Sequence, residues 1–498
     1  MIITSLTPAS LLPATVRLFA LAQQKIPALN SRWNPSDGTP VFTINGQYTT
    51  RGWTEWTQGF QYGSALLAFD ATSEQALLDL GRKNTLVRMA PHITHTGVHD
   101  HAFNNLSTYG NLRRLMKEGR IPHNEWELHF YELALKASGA VQVARWSGTA
   151  PAANAATANA TALGYIHSFN GPHSLFIDTI RTCRILGVAW QLGHKLMHEG
   201  DRSADLLKRS VLHGLCTNHH LIFHGGSGAT YDCRGRTAHE GIFNRSDGSF
   251  RSRATQQGYS PFSTWSRGLA WSILGFAEEL EFFATIPAEK FHASTGLQKA
   301  DVLAAYLQAA TDTADHYIHD VSAADGIPYW DDGAPNLHKL GDWQSRAADP
   351  FNDHEPVDSS AAAIAAQGLI RLGRYVADCG AHSMVLRTAQ DHGTQRDHAI
   401  DAQEYINAGL TIAGTLFAEP YLSTAPTHEG LLLHSIYHHP NNWDHVPAGR
   451  KIPSGESSMW GDYHVLELAL LISRLAGGKS LFFFDPASRS EPAGSGIG

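Results

Sequence analysis

Two aspartates stand in surroundings where a carboxylate is costly. Asp178 opens the otherwise apolar run FIDTIRTCRILGVAWQLG, which begins at Phe176, and Asp100 lies within VHDHAFNNLSTYG. An acid at the head of a helix has an ordinary use as a capping group, so Asp178 alone would say little. It is accompanied by QQGYSPFSTWSRGLAW, which carries Gln257, Tyr259, Trp265, Arg267 and Trp271, by PYWD with Tyr329 and Trp330, and by ESSMWGDYH with Trp460 and Asp462. Rings that stack on pyranose faces, carboxylates for proton transfer and a guanidinium able to take an anion through two parallel hydrogen bonds are together the equipment of a site for an acidic sugar.

Competing chemistries fail on spacing. His224 is followed by Gly225, Gly226, Ser227 and Gly228 in the manner of an oxyanion loop, but the chain has no G-x-S-x-G nucleophile elbow. His99 and His101 form an H-x-H preceded by His92 and His95, a spacing that invites metal ligation. Yet there is no H-E-x-x-H, since His428-Glu429 is followed by a histidine only at His434. Neither a metal nor another cofactor is expected, and a metal-dependent hydrolase is kept as an alternative.

These groups need a scaffold, and apolar residues recur at helical spacing in many segments: from Gly52, from Phe176, from Trp265, from Asp358 (DSSAAAIAAQGLIRLGRYV) and from Gly461 (GDYHVLELALLISRL). Further amphipathic runs lie between them, while alternating strands at regular spacing are absent. The class is all-α. Dividing 498 residues by about 150 per domain suggests roughly three domains. About a dozen helices without a linker-like break suit one toroid of helical hairpins better. A single domain is expected over 1–480, with insertions near 149–162 and 380–397 and a disordered tail over 481–498.

Lys and Arg number 38 against 46 Asp and Glu, a net charge of -8 with no basic run, so a footprint for nucleic acid or an anionic membrane is missing. An anionic ligand must therefore be held by local cations. The four cysteines, none in a C-x-x-C pair, read as reduced thiols. Arg17 interrupts the first apolar stretch, so no secretory signal is drawn. HVLELALLISRLAGG carries Glu467 and Arg474 and is too short to span a bilayer. A soluble cytoplasmic protein, monomer or homodimer, is expected.

Taken in order, W-T-x-G-F (Trp56–Phe60), H-D (His99, Asp100), I-D-T (Ile177–Thr179), Q-Q-G-Y (Gln256–Tyr259), W-x-R-G-x-A-W (Trp265–Trp271), P-Y-W-D (Pro328–Asp331), D-S-S-A-A-A-I-A (Asp358–Ala365) and W-G-D-Y (Trp460–Tyr463) resemble the unsaturated glucuronyl hydrolases, glycoside hydrolase family 88. The resemblance runs from about Trp53 to about Leu475. It implies an (α/α)6 barrel that removes a 4,5-unsaturated uronic acid from the non-reducing end of oligosaccharides produced by polysaccharide lyases. By position, Asp178 matches the family's general acid/base and Asp100 its second essential carboxylate. His99, His239, Gln257, Arg267 and Trp271 match positions lining the sugar site, joined by Trp56, Phe169 and Tyr437. This chain departs at Gln61 and Phe169, where the family usually has Trp; losing an indole alters stacking and pocket shape.

The C4=C5 bond of such a sugar belongs to an enol ether, which takes a proton at C4 and water at C5 and leaves the anomeric carbon untouched. The resemblance implies that Asp178 donates the proton and then, as carboxylate, deprotonates the water. Asp100 would orient ring hydroxyls and help keep Asp178 protonated by its charge. Arg267, flanked by Trp265 and Trp271, is expected to face inward and hold the sugar carboxylate. Alternatives from other classes are an inverting glycosidase on saturated sugars and a sugar-binding protein with a dead site.

Overall fold

The computed structural model describes residues 2–51, 56–150, 162–378 and 400–485. The two expected insertions fall almost entirely outside these residues, as does the chain beyond 485. The protein is mostly helical. Its long helices are α1 (Leu12–Arg32), α2 (Gln58–Thr72), α3 (Gln75–Arg88), α4 (running through His101–Asn105, Leu106–Gly110 and Asn111–Lys117), α5 (Glu125–Ala144) and α6 (Thr179–Thr182 and Arg184–Gln191). They continue as α7 (Leu206–Leu221), α8 (Ser266–Ala284), α9 (Lys299–His316), α10 (Ser359–Asp378), α11 (Ala402–Leu416) and α12 (Met459–Ala476).

Two kinds of helix alternate, and their sequences say why. In α1 the buried positions are Thr15, Leu18, Phe19, Ala22, Lys25, Ile26 and Leu29, a one-sided stripe at steps of three and four. In α8 burial covers nearly every residue from Ser266 to Phe283. The first pattern belongs to a helix with one face in water, the second to a helix enclosed on all sides. The even-numbered helices pack in sequence, α2 on α4, α4 on α6, α6 on α8, α8 on α10, α10 on α12 and α12 back on α2. The odd-numbered helices lie against them, α3 on α2, α5 and α7 on α6, α9 on α8, α11 on α10 and α1 on α12.

Glycine permits the closest of these approaches. A Cβ on Gly59 of α2 would stand 2.3 Å from the Asn104 backbone of α4, and one on Gly275 of α8 would stand 2.8 Å from the Arg181 amide nitrogen of α6. Toward their C-terminal ends α2, α4 and α12 carry buried charges, Arg114 and Arg474 both meeting Asp70 at 2.7 Å; Arg181, in the first turn of α6, meets Glu278 at 3.0 Å and Glu467 at 3.2 Å. Cations near helix C-termini also complement the backbone dipole.

The connections hold short strands that periodicity does not reveal. Among the described residues there are three two-stranded ribbons and one three-stranded sheet, the latter joining Ser174–Phe176, Glu240–Phe243 and Phe250–Ala254 in that order. None exceeds five residues, so no alternation develops. The helix anticipated from Phe176 is therefore entered through a strand, and it starts at Thr179. Residues 481–485, expected to belong to a tail, are packed: Leu481, Phe483 and Phe484 are buried, and Asp485 pairs with Arg113 at 2.7 Å. No helix among the described residues is long and apolar enough to cross a membrane.

Candidate active site

Each enclosed helix turns its N-terminal end to the same place. Trp56 precedes α2, His99 and Asp100 precede α4, Asp178 caps α6, Trp265 and Arg267 begin α8, Asp358 precedes α10 and Trp460 lies in the first turn of α12. All of these except Asp358 and Trp460 line a cavity of about 1110 Å³. Nine residues expected from the sequence line it: Trp56, His99, Asp100, Phe169, Asp178, Gln257, Arg267, Trp271 and Tyr437. The tenth, His239, stands behind the wall, its ring 4.5 Å from Phe176 and 4.8 Å from Trp265.

The carboxylates are joined through a histidine. His99 is 1% exposed, its Nε2 is 3.0 Å from Asp178 Oδ1, and its Nδ1 is 3.8 Å from Asp100 Oδ2. Burial alone would lower the imidazole's pKa, but Asp100 and Asp178 outweigh it and raise the pKa. Burial alone would push the Asp178 carboxyl up, but His99, His239 and Arg267 hold it below the ordinary range. Both shifts favour a charged His99 facing an ionised Asp178. This corrects the expectation that Asp100 keeps Asp178 protonated: an intervening imidazole turns Asp100 into the partner that keeps His99 charged.

His239 is of the opposite kind. Burial drives its pKa down to about 3, so the ring is neutral. Its Nδ1 accepts from the backbone N–H of Gln256 at 2.9 Å and of Gln257 at 3.3 Å. The proton must then lie on Nε2, a buried donor without a partner among the described residues.

Arg267 is inward-facing, as expected, but its fork is already occupied. Nη1 donates to Asp358 Oδ2 at 2.9 Å and to the Ile436 carbonyl; Nη2 donates to Gln257 Oε1 at 2.8 Å and to the Tyr437 carbonyl at 2.7 Å. The guanidinium is sandwiched between the rings of Trp265, at 4.6 Å, and Trp460, at 5.0 Å. With all four terminal N–H bonds used, it cannot grip a sugar carboxylate in a bidentate fashion. It ties the Tyr437 loop and Gln257 to α8 and α10 instead.

Sequence reasoning missed a second guanidinium. Arg51 lines the cavity and donates to Thr49 Oγ1 at 3.1 Å and to the carbonyls of Thr50 at 3.2 Å and Trp443 at 3.5 Å. It has no acidic partner among the described residues. Trp443 and His438 also line the cavity, and the Trp443 ring lies 5.3 Å from that of Tyr437, tilted by 56°. The run YHHPNNWDH signals them by its density of rings, whereas nothing around Arg51 does. Of the aromatics that drew attention in the sequence, Tyr259 and Trp330 line a separate cavity. Asp462 is buried elsewhere, accepting from the Leu431 and Leu432 amides and from the Tyr48 hydroxyl at 2.7 Å.

His92 and His101, on either side of Asp100, are engaged in hydrogen bonds. His92 Nε2 meets Gln58 Oε1 at 2.8 Å, and His101 bridges Ser138 Oγ and the His95 carbonyl, each at 2.9 Å. No group of three or more His, Cys, Asp or Glu side chains among the described residues is arranged to hold a metal ion.

No protein-family model matches the chain. It is 25% identical over 452 residues to the unsaturated chondroitin disaccharide hydrolase of Streptococcus pyogenes serotype M1, covering 89% of this chain and 87% of that one. It is 26% identical over 281 residues to the unsaturated glucuronyl hydrolase of Bacillus sp. (strain GL1), covering 56% of each. The solved structure of the Bacillus sp. GL1 enzyme superimposes with a TM-score of 0.63 at 20% identity, over 95% of this chain and all of that chain. A solved unsaturated glucuronyl hydrolase specific for heparin superimposes with a TM-score of 0.64 at 18% identity, over 94% of this chain and 99% of that chain. The fold is shared with these structures, and the relatives agree with the resemblance carried by the motifs.

Proposed function

We propose that this chain is a hydrolase that removes a 4,5-unsaturated glucuronic or related uronic acid from the non-reducing end of lyase-generated oligosaccharides, by hydrating the C4=C5 enol ether. The observation that carries the reading is the His99–Asp178 pair, with its single proton, at the wall of an aromatic cavity large enough for an oligosaccharide end.

The chemistry runs through that pair. As positive charge develops at C5, the proton on His99 Nε2 passes to Asp178 and from Asp178 to C4 of the sugar. The ionised Asp178 then takes a proton from the water whose oxygen bonds to C5, and passes it back to His99. One proton leaves the pair and one returns. The hemiketal formed at C5 opens and expels the aglycone without attack at C1. Asp100 keeps His99 cationic, and the Nε2–H of His239 is the buried donor available beside Asp178. The substrate's carboxylate falls to Arg51, the cavity guanidinium without an acid partner among the described residues. Trp56, Phe169, Trp271 and Tyr437 offer ring faces to the sugars.

With this reading goes a single-domain (α/α)6 barrel, supported by the closed packing order of the even-numbered helices with the odd-numbered ones outside. A cytoplasmic location and a monomer or homodimer go with it; the free thiols of Cys183, Cys216 and Cys233 support the location.

Turnover across a panel of unsaturated disaccharides, followed through loss of the conjugated ultraviolet absorbance, tests the activity. A thioglycoside of the unsaturated sugar should be consumed about as fast as the oxygen glycoside, and a saturated glucuronide should not react. A resistant thioglycoside together with a cleaved saturated glucuronide would return Asp100 and Asp178 to the acid and base roles of an inverting glycosidase.

A further inference from the structure

Five large apolar side chains stand in water on one side of the molecule. Trp126, Phe130 and Leu133 of α5 are 82%, 39% and 64% exposed, and Leu86 and Val87 of α3 are 37% and 66% exposed. The two helices lie side by side and run the same way. Arg82 pairs with Glu127 near the start of α5, and Asn105 Nδ2 joins the His92 carbonyl, just beyond α3, to Ser138 Oγ further along α5, at 3.0 and 2.9 Å. Leu86 and Val87, between Arg82 and His92 in the chain, therefore flank the middle of α5. One exposed leucine needs no explanation, but a contiguous group showing on the order of 500 Å² of apolar surface is at the upper end of what a monomer carries.

The spacing of the α5 residues says what fits them. Trp126, Phe130, Leu133 and the half-buried Ala137 are four, three and four residues apart, the alternation of a coiled-coil seam. The face that α5 turns to the barrel is a different one, carrying Tyr131, Ala134, Leu135, Ser138 and Gly139. The helix thus has a second apolar stripe, which the described residues leave in water. That stripe is its own complement about a point midway between Tyr131 and Glu132. Laid antiparallel on a second copy, Phe130 meets the copy's Leu133 and Trp126 meets its Ala137, large against small, and each contact occurs twice. Charge obeys the same symmetry. Glu125 and Lys136 stand on the flank of the stripe away from α3, and the antiparallel arrangement brings each within one turn of the other on the facing helix. A parallel arrangement would set Glu125 on Glu125 and Lys136 on Lys136. The five exposed side chains of two copies together bring about 1000 Å² of apolar surface, the size that separates a specific association from an incidental contact.

We propose that this face is the interface of a homodimer in which α5 packs antiparallel on α5 of a second copy of the chain, around a two-fold axis beside Tyr131 and Glu132, with Leu86 and Val87 closing one edge. None of these residues lines the active-site cavity, so the pairing is independent of the reaction and of the function proposed above.

Analytical ultracentrifugation of the full chain from nanomolar to micromolar concentration tests the interface. The parent should pass from the mass of one chain to the mass of two. Leu133→Glu replaces a side chain that the fold leaves mostly in water, so its circular dichroism should match the parent's, while it should sediment as one chain at every concentration. The charged flank supplies a second, milder test at low salt. Lys136→Glu should raise the dissociation constant about ten-fold, because two ion pairs become two repulsions. Glu125→Lys/Lys136→Glu, which exchanges the charges, should return it to near the parent value. A parent that stays at the mass of one chain would overturn the homodimer and leave the face to a different partner. Dimers that persist in Leu133→Glu would place the contact elsewhere and overturn it equally. No recovery in the exchanged double variant would overturn the antiparallel pairing of α5.

Discussion

His99 Nε2 stands 3.0 Å from Asp178 Oδ1 while the other nitrogen of the same ring stands 3.8 Å from Asp100 Oδ2, so one buried imidazole is held between the two carboxylates of the site. The pH behaviour of the protein follows from that triad, whose members titrate together.

The proton needed at C4 is lost when His99 deprotonates, and its pKa is raised above the ordinary 6.5 by Asp100 and Asp178 acting against burial. The alkaline limb of kcat/KM should therefore lie above pH 6.5, and Asp100→Asn should move it to lower pH. A pH–rate profile of parent and variant checks this. The stability carried by the raised pKa should be full below pH 6.5 and fade as pH rises through the folded value. The lowered pKa of Asp178 acts in the opposite sense, adding stability that is lost as pH falls below the ordinary 3.8. Thermal melts across the two windows measure both contributions.

Asp178→Asn keeps the side chain's size and removes both the donor to C4 and the base for water. Turnover should fall by several orders of magnitude with binding largely kept. Single-turnover rates and direct binding measured on the same protein separate the two effects, and near-normal turnover would sink the role given to Asp178.

Arg51 and Arg267 should answer differently to the same change. Arg51→Gln should leave the melting temperature in place and raise KM for unsaturated uronides, since one charge-assisted contact is worth about 1.5–3 kcal/mol. Arg267→Gln strands Asp358 in the interior, and breaking such a buried pair costs about 3–5 kcal/mol, so it should unfold at markedly lower denaturant. A tighter KM effect from Arg267→Gln at unchanged stability would reverse the two assignments.

Gly59→Ala places a methyl group 2.3 Å from the Asn104 backbone. Moving α2 and α4 apart to relieve that contact should cost about 1–3 kcal/mol and, because Trp56 and Asp100 lie at the entrances to these helices, lower kcat as well. Chemical denaturation and kinetics on the variant read both quantities.

Much of this was legible in the residues. The enclosed helices lack a continuous polar face, which separates α8 from a one-sided helix such as α1 without any structure; of the acids that interrupt them, Asp100 and Asp178 reach the cavity, whereas Glu278, Asp462 and Glu467 do not. What spacing could not convey is occupancy. Arg267 lies between tryptophans in the sequence and in space, yet only the fold brings the Ile436 and Tyr437 carbonyls and Asp358 to its fork. Likewise His99 is adjacent to Asp100 in the chain, but its closer partner is 79 residues away. Arg51 and the short strands escaped notice for a common reason: segments of three to five residues in connections leave no periodic trace.

The buried ion pairs of Asp70 with Arg114 and Arg474 lie toward the C-terminal ends of α2, α4 and α12, while the ligand-facing residues gather at the N-terminal ends. Closure of the ring and choice of ligand are thus written in different residues. The entrances to α2, α4, α6 and α8 can be edited to admit another sugar while Arg114 and Arg474 go on fastening the far end to Asp70. A scaffold divided in this way can be recruited to new substrates one entrance at a time.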